Sequence, residues 1–81
     1  MTAVELLETL RDALLNSDTT KYNVEIIENK YLRVNGLIFE ENAIWNLYLE
    51  NSFQLDSEIL GFQSVLQCIQ DEVYLYGNDE A

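Results

Sequence analysis

An α+β fold, a small antiparallel sheet roofed by helices, is what this 81-residue sequence predicts. Three observations carry the prediction. Asn35-Gly36 sits between two alternating runs, Tyr31-Leu32-Arg33-Val34 and Leu37-Ile38-Phe39-Glu40, and suits the positive φ angles of a two-residue type I′ turn. Apolar side chains recur at spacings of three and four near both ends of the chain, the mark of amphipathic helices. Between those ends, alternating runs follow one another at hairpin spacing. The expected order is α-β-β-β-β-α, a four-stranded antiparallel meander with both helices packed on one face, in a single domain spanning 1–81.

Thr2-Ala3-Val4-Glu5 matches a capping box and opens the first helix. Ala3, Leu6, Leu7, Leu10, Ala13 and Leu14 form its apolar stripe, Glu8 neighbours Arg11, and the helix is expected to stop near Leu15 or Asn16. The stretch Asn16–Thr20 gathers side chains that compete for backbone groups.

Tyr22–Ile27 alternates as a strand. With Glu28-Asn29-Lys30 as its loop, Ile26 faces Leu32, Val24 faces Val34 and Glu25 faces Arg33. The type I′ turn sets Val34 opposite Leu37, Arg33 opposite Ile38, Leu32 opposite Phe39 and Tyr31 opposite Glu40. Glu41-Asn42-Ala43 as a further loop leads into a fourth strand, Ile44–Glu50, which pairs Phe39 with Trp45 and Leu37 with Leu47.

Asp56 or Ser57 caps the second helix. Ile59, Phe62, Leu66, Ile69, Val73 and Tyr76 make its stripe, widened by Val65, and Gly77 stops it. Gly61 lowers helix propensity by about 1 kcal/mol and marks a close approach to the sheet. Val73-Tyr74-Leu75-Tyr76 also suits a short terminal strand, with helix preferred. Residues 78–81 are expected as a frayed acidic tail.

Fifteen Asp and Glu stand against four Lys and Arg, a formal charge of −11 with no histidine. Every cation (Arg11, Lys21, Lys30 and Arg33) precedes Val34, so residues 34–81 hold carboxylates and no basic side chain. Such a field repels nucleic acid and anionic membranes, which are bound through Lys and Arg. A single cysteine, Cys68, and the lack of a signal-like segment point to a reducing, cytoplasmic compartment. Cys68 itself is expected as a buried or half-buried small hydrophobe.

Without histidine there is no Ser-His or Cys-His pair and no imidazole ligand. The glycines are isolated, so no phosphate cradle forms. Glu40-Glu41, Asp56 with Glu58, and Asp71-Glu72 lack the spacing of a calcium loop and read as solvated acidic surface. The expectation is therefore no enzyme, no cofactor and no metal. The uncovered sheet face would bring Ile27, Tyr31, Ile38, Ile44 and Tyr48 together with a carboxylate rim, the composition of a protein contact.

Size, acidity, a leading helix, a small antiparallel sheet around Arg33-Val34-Asn35-Gly36 and a closing helical stretch resemble the small acidic inhibitors that phages encode against bacterial defence. These include anti-CRISPR proteins that occupy nucleic-acid sites on Cas nucleases. The resemblance lies in element order and charge across most of the chain. It implies a location in the host cytoplasm and a mechanism in which carboxylates on a rigid scaffold imitate phosphates and fill a basic groove on a partner such as a Cas effector. For that role the expected contacts are Glu40, Glu41, Glu50, Asp56 and Glu58, with Tyr31 and Tyr48 as anchors. The alternative is a homo-oligomeric structural or adaptor module, dimeric through the outer sheet face and acidic only for solubility.

Overall fold

In the computed structural model, which describes residues 1–77, the elements run α1 (Ala3–Leu15), β1 (Val24–Ile27), β2 (Tyr31–Val34), β3 (Leu37–Glu40), α2 (Glu41–Gln54) and α3 (Glu58–Tyr76). The expected tail at 78–81 lies outside the described residues.

The capping box forms as the sequence requires. The Thr2 amide donates to Glu5 Oε1 at 2.8 Å, and the Glu5 amide donates to Thr2 Oγ1 at 3.1 Å. Leu6, Leu7, Leu10 and Leu14 then fall on one buried face, and Asn16 ends the helix. Arg11 bonds the adjacent Asp12 at 3.1 Å rather than Glu8, a half-exposed contact worth little.

The sheet is three-stranded and antiparallel, in the order β1-β2-β3. Both registers match the pairs that the turn and the alternation dictate, from Val24 opposite Val34 to Tyr31 opposite Glu40. Asn35 (φ 47°) and Gly36 (φ 88°) adopt the left-handed angles of the type I′ turn, and Asn35 Oδ1 also accepts the Asn23 amide at 2.8 Å. One side chain thus ties the second hairpin's turn to the strand before it. Arg33 and Glu25 form the expected cross-strand ion pair. Leu32 and Val34 are fully buried beneath α1, while Glu25, Arg33, Ile38 and Glu40 stand exposed on the other face.

The fourth strand is replaced by a helix. Residues 41–54 form α2, which follows β3 with no intervening loop, and the Glu41 amide donates to the Lys30 carbonyl at 2.8 Å. The first helical residue thereby makes the last bond of the β2–β3 ladder. Ile44 and Tyr48, expected on the outer sheet face, are core residues one helical turn apart. Alternation misleads here because α2 is sandwiched: it buries side chains against α1 and β3 on one side and against α3 on the other. A helix with two partners shows no single clean stripe, and its apolar positions then fit period 2 as well as period 3.6.

Ser57, not Asp56, caps α3, accepting the Leu60 amide at 3.1 Å; Asp56 takes the left-handed turn position at φ 51°. Residues 73–76 are helical. Gly77 accepts the end of the helix, but in an extended rather than a left-handed conformation (φ −65°). The buried row of α3 is Gly61, Val65, Ile69 and Val73, with Phe62 and Leu66 half-buried; Ile59 and Tyr76, expected in the stripe, are exposed. The cause is the glycine. A Cβ on Gly61 would run into Ser52 Oγ and lie 2.8 Å from both the Cα and N of Ser52, so α3 crosses α2 in close contact at this point. That contact draws the four-spaced row through Gly61 inward. The close approach is therefore to α2, and α3 lies mainly against α2 instead of against the sheet.

Candidate functional site

The expected contact residues fall into two groups and one buried outlier. Tyr31, Glu40 and Glu41 come together with Lys30 and Asn42 around a polar depression of about 330 Å³ where β3 passes into α2. Glu50, Asp56 and Glu58 lie at the far end of α2 and in the turn to α3. At 1.5 Å per residue, Glu41 and Glu50 are separated by about 13 Å along the helix, so the two groups are not one cluster. Tyr48 is only 5% exposed and its ring lies 5.5 Å from that of Trp45 within the core. It is not a surface anchor, because its helix turns it inward.

The helical hairpin α2–α3 has a chemistry distinct from the rest of the molecule. It carries Glu41, Glu50, Asp56, Glu58, Asp71 and Glu72 and no cation. Most of the large apolar side chains exposed among the described residues also belong to it or to its turn. Phe53 (87% exposed) and Ile59 (72%) stand near Leu49, Leu55 and Leu60 in sequence around the turn, and Tyr74, Leu75 and Tyr76 end α3. Sequence reasoning misses both: Ile59 is expected in the buried stripe of the second helix, and Phe53 falls between the expected fourth strand and that helix, where no element gives it a direction. The four-spaced row passing through Gly61 was the available signal for the true orientation of α3.

A second feature lies along β3. A groove of about 590 Å³ is lined by Ile38, Phe39 and Glu40 of this strand, by Ala43 and Leu47 of α2 and by Cys68, Ile69 and Glu72 of α3. Cys68 is exposed rather than buried, since the inward row of α3 passes through Val65 and Ile69 on either side of it. Among the described residues no three Cys, Asp or Glu side chains come together in a way that could hold a metal ion. No helix among them is long and apolar enough to cross a membrane.

The Glu5 carboxyl has a displaced pKa. Its bond from the Thr2 amide, with the Thr2 hydroxyl adding to it, holds the carboxyl below the usual carboxylate range. This is a helix cap, far in character from a catalytic acid.

The chain matches no protein-family model, no curated protein and no solved structure.

Proposed function

We propose that this protein is a small acidic protein-binding module that occupies a basic, nucleic-acid-binding site on a partner, in the manner of a phage anti-defence inhibitor. The observation that carries the reading is the α2–α3 hairpin, which holds six carboxylates and no cation and brings three of them, Glu50, Asp56 and Glu58, to the turn that also exposes Phe53, Leu55, Ile59 and Leu60. Carboxylates supply long-range attraction and discourage acidic partners, while desolvated aromatic and aliphatic groups supply the affinity that charge alone does not. Self-association is less well supported, because a dimer would bring together two chains that each carry −11.

Affinity capture from a cell extract, followed by challenge with duplex DNA and RNA, tests the reading. A basic protein should be retained at about 50 mM NaCl, released at about 500 mM and displaced by nucleic acid. A captured partner indifferent to both salt and nucleic acid would overturn it. So would a stable dimer in sedimentation that captures nothing, the result the homo-oligomer alternative requires.

A further inference from the structure

The groove beside β3 is the place a fourth strand would take. β3 is an edge strand, since the sheet order ends with it. A two-residue turn makes Val34–Leu37 and Leu32–Phe39 the mutually hydrogen-bonded pairs, a phase continued by the Glu41 amide on the Lys30 carbonyl. The N–H and C=O of Ile38 and the N–H of Glu40 therefore point away from β2, toward the open edge. Ile38 projects from one face of the sheet and Phe39 from the other, so a space lined by both runs along the strand's edge. Its volume of about 590 Å³ lies within the usual range for binding sites, and it is far larger than a gap between packed side chains.

We propose that an extended segment of the basic partner adds to β3 as a fourth antiparallel or parallel strand, with alternating Lys or Arg and aliphatic side chains. Aliphatic groups of the added strand would settle on Ala43, Leu47 and Ile69, and its cations would pair with Glu40 on β3 and Glu72 on α3, both in the groove's lining. Charge complementarity selects this occupant over a second copy of the chain: the groove is lined by two carboxylates and no cation, and the molecule as a whole carries −11. The inference rests on the reading above that the partner is basic, and adds how that partner is held.

The test is a ¹H–¹⁵N titration of the full chain with a capped nine-residue peptide of alternating Lys and Val, and with its Glu/Val counterpart. The Lys/Val peptide should shift the amides of Ile38–Glu40 and of Cys68–Glu72 and slow exchange of the Ile38 N–H. The Glu/Val peptide should produce no shifts. Ile38→Pro removes an edge donor without removing a ladder bond and should weaken binding at least tenfold; Glu40→Lys with Glu72→Lys should do the same through charge. Lys/Val shifts confined to the Phe53–Leu60 turn, or unaffected by either variant, would overturn strand addition while leaving the basic-partner reading intact. Absence of binding, or equal binding of both peptides, would overturn both.

Discussion

Ser57 and Gly61 show how single side chains decide the geometry of the helical hairpin. Ser57 satisfies the Leu60 amide, so Ser57→Ala should cost about 1 kcal/mol in urea denaturation. Gly61→Ala would gain about 1 kcal/mol of helix propensity if α3 stood alone. The added methyl meets backbone atoms of Ser52 at 2.8 Å, which cannot rotate aside, and overpacking of this kind typically costs about 1–3 kcal/mol or more. The expected outcome is a net loss of stability, and a gain would mean that α2 and α3 do not touch there. Glu5 gives a pH dependence of definite sign. Its carboxyl is depressed in the fold by the Thr2 amide and then the Thr2 hydroxyl, so the stabilisation is present above its unfolded pKa and is lost as pH falls through the folded value. In thermal melts the deficit of Glu5→Ala should therefore be full at neutral pH and shrink toward zero in acid, and a deficit that grows on acidification would contradict the assignment.

At the scale of elements, what could be read from sequence divides cleanly by how local the determining physics is. The Thr2–Glu5 capping box, the Glu28-Asn29-Lys30 loop and the Asn35-Gly36 turn act over a few residues, and they correctly set the start of α1, the β1–β2 register and the β2–β3 register respectively. The segment Ile44–Glu50 was illegible because its apolar residues serve two packing partners, and nothing within the segment says so. Tyr48 moved with it, from expected surface anchor to core. Glu40, Glu41, Glu50, Asp56 and Glu58 are expected to cluster at the strand ends and the start of the second helix; their separation into two groups follows from α2 standing where the fourth strand is expected. The burial of Tyr48 sets a measurable contrast. Tyr48→Ala should cost about 3–5 kcal/mol in denaturation, as large aromatic truncations in cores do, whereas Phe53→Ala at the exposed turn should change stability by about 0.5 kcal/mol or less. Similar small effects at both positions would mean that the helix is turned the other way.

For the whole molecule, charge is the dominant fact: −11 on a chain whose Cα radius of gyration is 12.0 Å. Self-repulsion on this scale opposes the compact state and is screened by salt, with a Debye length near 10 Å at about 0.1 M. The midpoint of thermal unfolding should rise by several degrees between about 10 and 500 mM NaCl, since 1 kcal/mol corresponds to roughly 4–8 °C in a domain of this size. A midpoint that falls would mean that ion pairs such as Arg33–Glu25 outweigh the repulsion. The same unbalanced field is what a basic partner would relieve. The most direct measurement is the affinity for the captured partner at about 50 and 300 mM NaCl, for the wild type and for a variant with Glu50, Asp56 and Glu58 all changed to Gln. Affinity of the wild type should fall at least tenfold with salt, and the variant should bind more weakly at low salt with a flatter dependence; equal, salt-independent affinities for the two proteins would contradict the proposed role of the acidic hairpin.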